Sequence, residues 1–366
     1  MRTTNPKTYL LMSVLLVGAL CISAVGKTIY VDDDGPADFN NIQAAIDDSN
    51  DGDSIIVQPG LYKEFVKFHG KNITLTSTNP GDFNVVAATI IDYGAGFVGT
   101  EEPNCTLTGF KINGWISGVD YIIDPTGENH TNATISYCLL QGNRVSRGTV
   151  IRACDGTIIN CVVVDNWPNS DWIGPAISEC HGLIKNCIVA HNFETGIWVS
   201  QGFTTTIENC IIYYNPMGIW VDGTVNILYT DVDGGIFGGG NVNWGTGNID
   251  ADPCFVRVGD WFGELKGDYH LKSQAGRWDA NERRWTKDEV TSPCIDAGDM
   301  ASPIGFEPFP NGGIINMGAY GGTAEASKSY FGQPVCETIV AGDINGDCKV
   351  DFKDFAIMAA HWLEKR

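Results

Sequence analysis

Ala133-Thr-Ile-Ser-Tyr-Cys138, Gly156-Thr-Ile-Ile-Asn-Cys161, Gly182-Leu-Ile-Lys-Asn-Cys187 and Thr205-Thr-Ile-Glu-Asn-Cys210 are one hexapeptide written four times, its cysteines 23, 26 and 23 residues apart. Five residues beyond each cysteine stands an asparagine, at Asn143, Asn166, Asn192 and Asn215. A glycine-opened strand follows each time, as Gly148-Thr-Val-Ile-Arg152, Gly174-Pro-Ala-Ile-Ser178, Gly196-Ile-Trp-Val-Ser200 and Gly218-Ile-Trp-Val-Asp222. Val225-Asn-Ile-Leu-Tyr-Thr230 is a degenerate fifth copy. A period of this size means a solenoid, in which each unit buries its apolar face against the next. The recurring apolar residues are Ile and Val with no helical spacing between strands, which argues against leucine-rich repeats and for coils of about three short strands.

Stacked coils place equivalent residues about 4.8 Å apart, so the asparagines are expected to hydrogen-bond in a ladder along the axis. The cysteines stack in the same way. Their Cβ atoms would lie farther apart than the ~3.8 Å that a disulfide prefers, so Cys138, Cys161, Cys187 and Cys210 are expected to form a column of buried free thiols. Cys154 and Cys180 form a second column.

Outward from the repeats, the 366 residues include 44 glycines, 43% hydrophobic and only 18% charged residues, a composition that argues against long disorder and against a coiled coil. Residues 1–26 have the layout of a secretory signal: Arg2 and Lys7, an apolar run from Tyr9 to Ala24, then small residues before Lys27. The chain is therefore expected to be secreted, extracellular or at the cell surface, and no second apolar stretch is long enough to span a membrane. The formal net charge is −21, and the leader removes two basic residues and no acidic one. Such acidity argues against nucleic acid as a partner, and an anionic polysaccharide would need a cation or a local basic patch.

These coils resemble the right-handed parallel β-helix proteins of the pectin-lyase-like superfamily, over roughly residues 27–250. The resemblance begins at Thr28-Ile-Tyr-Val-Asp32, continues through Phe39, Ile42, Ala45 and Ile46 at helical spacing, and includes Gly52-Asp-Ser-Ile-Ile-Val-Gln-Pro-Gly60 and Lys71-Asn-Ile-Thr-Leu75. It implies an all-β solenoid with a short N-terminal capping helix, for which Asp38 is the expected N-cap. Residues 251–332 break the period, and their Asp268-Tyr-His-Leu271, Ser292-Pro-Cys-Ile-Asp-Ala-Gly298 and Asn316-Met-Gly-Ala-Tyr-Gly-Gly322 resemble the closing segment of exported bacterial β-helix proteins, so they are read as a C-terminal cap.

Residues 333–366 form a third unit. Asp343, Asn345, Asp347, Asp351 and Asp354, with the Lys349 carbonyl, supply oxygen at loop positions 1, 3, 5, 9, 12 and 7, the EF-hand spacing for Ca2+. A helix follows, with Phe352, Phe355, Ala359, Trp362 and Leu363 on one face. The unit resembles a single dockerin-type repeat, with Cys348 where glycine is usual and Cys336 available to staple it. That resemblance implies a cohesin-like or cell-surface protein partner.

Alternation in the glycine-opened strands puts Thr149, Pro175, Ile197 and Ile219, and then Ile151, Ile177, Val199 and Val221, inside. The outward columns are Val150, Ala176, Trp198, Trp220 and Arg152, Ser178, Ser200, Asp222. Two stacked outward tryptophans suit sugar rings, whose C–H faces pack on aromatic surfaces. Trp167, Asp171 and Trp172 in the longest loop are expected at the same edge, with Arg147 one coil earlier. Lytic cleavage of a uronate polymer would need a base such as Arg147 or Arg152, with Asp171 and Asp222 holding a cation. Hydrolysis would need two carboxylates about 5 to 9.5 Å apart. The sequence thus leaves a polysaccharide lyase, a glycoside hydrolase and a non-catalytic carbohydrate-binding or adhesion protein all open.

Overall fold

In the computed structural model, which describes residues 26–118, 129–145, 149–169, 174–260, 265–332, 340–345, 348–360 and 362, the chain is a parallel β-helix. Its first sheet stacks ten strands in chain order, from Thr28–Val31 to Asn241–Trp244. One interior column runs Ile55, Leu75, Leu107, Ile135, Ile158, Ile184, Ile207, Ile227 in register, and every member is buried. The second sheet has two arms that meet at the long strand Lys111–Ser117. One arm stacks Leu139–Gln141, Val162–Val164, Ile188–Ala190, Ile211–Tyr213 and Asp231–Val232; the other stacks Ile151–Arg152, Ile177–Ser178, Thr195–Val199, Met217–Val221 and Ile236–Phe237.

Single left-handed residues turn the corners. The residue before each ladder cysteine has positive φ: Tyr137 50°, Asn160 52°, Asn186 47° and Asn209 54°. Asparagine tolerates this conformation better than most residues, which explains its recurrence there. Gly142, Asp165, His191 and Tyr214 do the same just before the ladder asparagines.

Both expected ladders are present. Asn192 Nδ2 donates to Asn215 Oδ1 at 3.1 Å and Asn166 Nδ2 to Asn192 Oδ1 at 2.9 Å, while each amide also reaches a carbonyl of the preceding coil. Cys138, Cys161, Cys187 and Cys210 are buried free thiols, and burial pushes the first three well above the ordinary thiol pKa. In the degenerate coil Thr230 takes the cysteine position, its Oγ1 accepting from the Cys210 amide.

The N-terminal helix spans Ile42–Asp48 and buries Ile42, Ala45 and Ile46. Its N-cap is Asn41, which accepts from the Ala44 amide, rather than the expected Asp38, whose carboxylate instead accepts from the Tyr30 amide. Glu64 accepts from the amides of Ile42 and Gln43, completing the helix start.

Residues 251–332, expected to close the end of the coils, lie along their side. Phe255, Tyr269, Leu271, Cys294, Met317 and Ala319 form a second core with the outward side chains Val162, Val164, Ile188, Ala190 and Ile211 of the first arm. Polar ties pin this flanking layer to successive coils: Gln141 Nε2 to the Gly267 carbonyl, Asn160 Nδ2 to those of Ala319 and Gly321, and the Asp299 amide to Asn209 Oδ1. No helix among the described residues is long and apolar enough to cross a membrane. The expected leader lies outside the described residues except for Gly26.

Candidate functional site

The second arm carries the tryptophans, but in a different register from the one expected. Ile151 pairs with Ile177, Ile177 with Ile197 and Ile197 with Ile219, so the outward column beside them is Arg152, Ser178, Trp198, Trp220, Phe237. Val150 and Ala176, expected outward, are buried. The interior isoleucines set the phase, and aligning the strands on their opening glycines misplaces it by two residues. Trp198 is half-buried and Trp220 is exposed. Asp222 accepts from both indoles, at 2.9 Å from Trp198 Nε1 and 3.0 Å from Trp220 Nε1. The rings of Trp220 and Phe237 lie 6.5 Å apart and within 14° of parallel, so they stack on one another along the axis.

This geometry commits two of the four candidate catalytic groups, Asp222 and Arg152, to structural partners. Asp222 is a clamp for two indoles, and Arg152 forks onto Glu179 with bonds of 2.8 and 3.1 Å. An arginine tied to a carboxylate in this way is held as a cation and is poorly placed to take a proton. Trp167 belongs to the preceding bend, where it packs against Phe193 and His191. Arg147, Asp171 and Trp172 lie outside the described residues.

The flanking layer builds a second candidate that the repeats did not signal. Its hairpin pairs Arg277–Asp279 with Arg284–Thr286, setting Trp278 opposite Trp285 with ring centroids 5.6 Å apart in a T-shape. Between this hairpin and the segment Asn79–Ala88 lies a groove of about 830 Å3, to which Tyr137, Arg283 and Phe306 also contribute. Trp278 Nε1 is buried and has no hydrogen-bond partner among the described residues. The two carboxylates at the groove are occupied: Asp82 caps the helix Phe83–Ala88, and Glu325 accepts from the Phe83 amide and meets His270 Nε2 at 3.1 Å. The string Arg277-Trp-Asp279 followed by Arg283-Arg-Trp285 is the sequence signal for this hairpin, alternating around a turn.

In the C-terminal unit, Asp343, Asn345 and Asp354 are buried, while Lys349 and Asp351 are exposed. Asp354 Oδ1 accepts from the Ile344 and Asn345 amides and its Oδ2 from the Asp351 amide, which holds its carboxyl below the usual carboxylate range. Asp343 Oδ2 accepts from the Cys348 amide, so both carboxylates fold back onto the loop backbone. Asp347 and Cys336 lie outside the described residues, and Cys348 is disulfide-bonded. The helix Phe352–Ala360 follows, with Phe352, Phe355 and, just beyond it, Trp362 exposed.

A family described as disaggregatase related matches residues 130–298. None of the curated proteins matches this chain. Among solved structures, pectate lyase Pel9A overlaps 81% of this chain and 96% of its own at 14% identity and a TM-score of 0.41. A pectin methylesterase mutant in complex with a hexasaccharide overlaps 57% of this chain and 80% of its own, at 13% identity and a TM-score of 0.31. Overlap at that level carries nothing about a site, so function is read from this chain's own residues.

Proposed function

We propose that this chain is an exported carbohydrate-binding β-helix protein that holds a saccharide in the groove between its flanking layer and the Asn79–Ala88 segment. The observation that carries this reading is the pair Trp278 and Trp285 lining a groove of about 830 Å3. Apolar walls with a few polar groups are the usual make-up of a ligand site. Indole faces suit sugar C–H surfaces. Arg283 supplies a cation that an acidic sugar would need against so acidic a chain. Binding has more support than cleavage, because Asp82, Glu325, Arg152 and Asp222 all have structural partners already. The Trp198–Trp220–Phe237 strip is a secondary surface, since Asp222 takes both indole N–H groups and Phe237 lies parallel to Trp220.

The C-terminal loop fits calcium, with Asp343, Asn345 and Asp354 as side-chain ligands and Asp347, Asp351 and the Lys349 carbonyl completing the spacing. The exposed Phe352, Phe355 and Trp362 favour a second reading, in which the tail docks a cohesin-like or cell-surface protein and the solenoid is a rigid adhesion rod. One calorimetric series on the mature chain tests both sites. Calcium is expected to bind with one equivalent, after which neutral and acidic oligosaccharides are titrated in turn while absorbance at 235 nm and reducing ends are followed. Heat from at least one oligosaccharide without product supports binding. Product formation would make the chain an enzyme, silence from every sugar would leave only the rod, and silence from calcium would refute the loop.

A further inference from the structure

Four of the six histidines sit beside carboxylates in the folded interior, and two of those, His191 and His270, are fully engaged. His191 Nδ1 meets Asp165 at 2.8 Å, and that carboxylate is closed off by Tyr269, Gln141 and the Gly267 amide. His270 has a carboxylate at each ring nitrogen, Asp268 at 2.7 Å and Glu325 at 3.1 Å. His130 Nδ1 lies 3.0 Å from Asp155 Oδ1.

His181 is different. Its Nε2 contacts Ser200 Oγ at 2.7 Å, and its Nδ1 lies 2.8 Å from the same Asp155 Oδ1 that His130 uses. Nδ1 is buried, so one carboxylate oxygen faces a ring nitrogen of each histidine. Imidazole nitrogen and carboxylate oxygen are both metal ligands, so a cation can take the place of the protons that these contacts otherwise share. The side chains of His181 and His130 are 5% and 7% exposed and that of Asp155 28%, so the site is shielded yet reachable from solvent.

We propose that His130, Asp155 and His181 bind one divalent transition-metal ion through the Nδ1 atoms of both histidines and a carboxylate oxygen. The three ligand atoms lie within 4.8 Å of one another on successive coils. Ligands about 2.0 to 2.2 Å from a tetrahedral zinc ion sit roughly 3.3 Å apart, so the present 2.8 and 3.0 Å contacts need open by only a few tenths of an ångström. Two imidazoles and one carboxylate suit Zn2+, Co2+ or Fe2+ rather than Ca2+, and three protein ligands leave a position for water or a ligand. Ser200 is the outer partner that fixes the tautomer and orientation of His181. Phe203 lies parallel to the His181 ring, with centroids 3.8 Å apart, and the His130 ring stacks at 5.1 Å. The Asp155 carboxyl is raised by burial, but the hydrogen bonds and charges of both histidines outweigh this and hold it well below the usual range, so it is an anion ready to ligate.

The test uses the full mature chain, stripped with chelator and then saturated with calcium so that the C-terminal loop does not compete. Cobalt(II) is added and its visible absorption followed, with Zn2+ as competitor. One equivalent of cobalt is expected, with the visible bands of a four- or five-coordinate nitrogen–oxygen site, displaced by zinc. Asp155→Asn and His181→Gln should each weaken binding at least tenfold, and Ser200→Ala several-fold with the same spectrum. Absence of cobalt binding by the wild type would overturn the proposal. So would a sulfur-to-cobalt charge-transfer band, which would move the ion to the cysteines, or unchanged binding in both folded ligand variants.

Discussion

The first sheet and the first arm of the second sheet come from the same repeat, yet they face different surroundings. In the first sheet the strands read Thr-Ile-Ser, Thr-Ile-Ile, Leu-Ile-Lys and Thr-Ile-Glu, with one buried residue flanked mostly by half-buried ones. In the arm they read Val-Val-Val and Ile-Val-Ala, with every residue buried. Alternation marks a strand with one face toward water, and a continuous apolar run marks a strand covered on both faces. The runs at Val162–Val164 and Ile188–Ala190 are therefore the signature of the flanking layer.

A charge inserted on each face separates them most strongly. Ile188→Lys puts an ammonium into the apolar core shared by the arm and the flanking layer, at a cost of several kcal/mol. The flanking layer should detach or the chain should fail to fold. Thr206→Lys, on the first sheet, should change stability by no more than about 0.5 kcal/mol. Thermal unfolding of the two variants checks the contrast, and equal losses would mean that the arm is not covered as described.

Acidity separates the two regions next. His270 is buried, which lowers its pKa, but Asp268 and Glu325 outweigh that effect and hold it at about 9. Its folded value lies above the free one, so its stabilisation is complete below about pH 6.5 and fades as pH rises through about 9. Burial raises Glu307 to about 8 and Asp296 to about 6, so both destabilise the layer in the same direction as pH climbs. Asp268 is lowered, so its share is present above the usual carboxylate pKa and lost in acid. Residues 265–332 should thus resist limited proteolysis best near pH 4 to 5 and become cleavable near pH 9 to 10, while the first sheet stays protected. Simultaneous cleavage of both regions would contradict this.

What the sequence disclosed and what it hid follow the same division. The coils, the asparagine ladder and the thiol column were legible because each depends on identical residues at a fixed period. The outward placement of Trp198 and Trp220 was legible too, but the register of the preceding coils, with Val150 and Ala176 inside, was not, because strands in register follow the interior isoleucines while coil length varies around them. The groove was hidden for a further reason: Tyr137 and Trp285 are distant in sequence and meet only through tertiary packing. The His130–Asp155–His181 cluster spans three coils with no shared motif, although Cys154-Asp155 and Cys180-His181 hold matching places after their strands.

Two tryptophan surfaces now compete for the same ligand, and paired variants separate them most directly. Once an oligosaccharide is found that binds the wild type, its affinity is measured in parallel for Trp285→Ala and Trp220→Ala. Loss of an aromatic stacking partner elsewhere is worth about 1 to 3 kcal/mol, which corresponds to roughly tenfold or more in affinity. Trp285→Ala is expected to lose at least that much, and Trp220→Ala to bind within about twofold of the wild type. The reverse pattern would place the saccharide on the outward strip of the coils and contradict the groove.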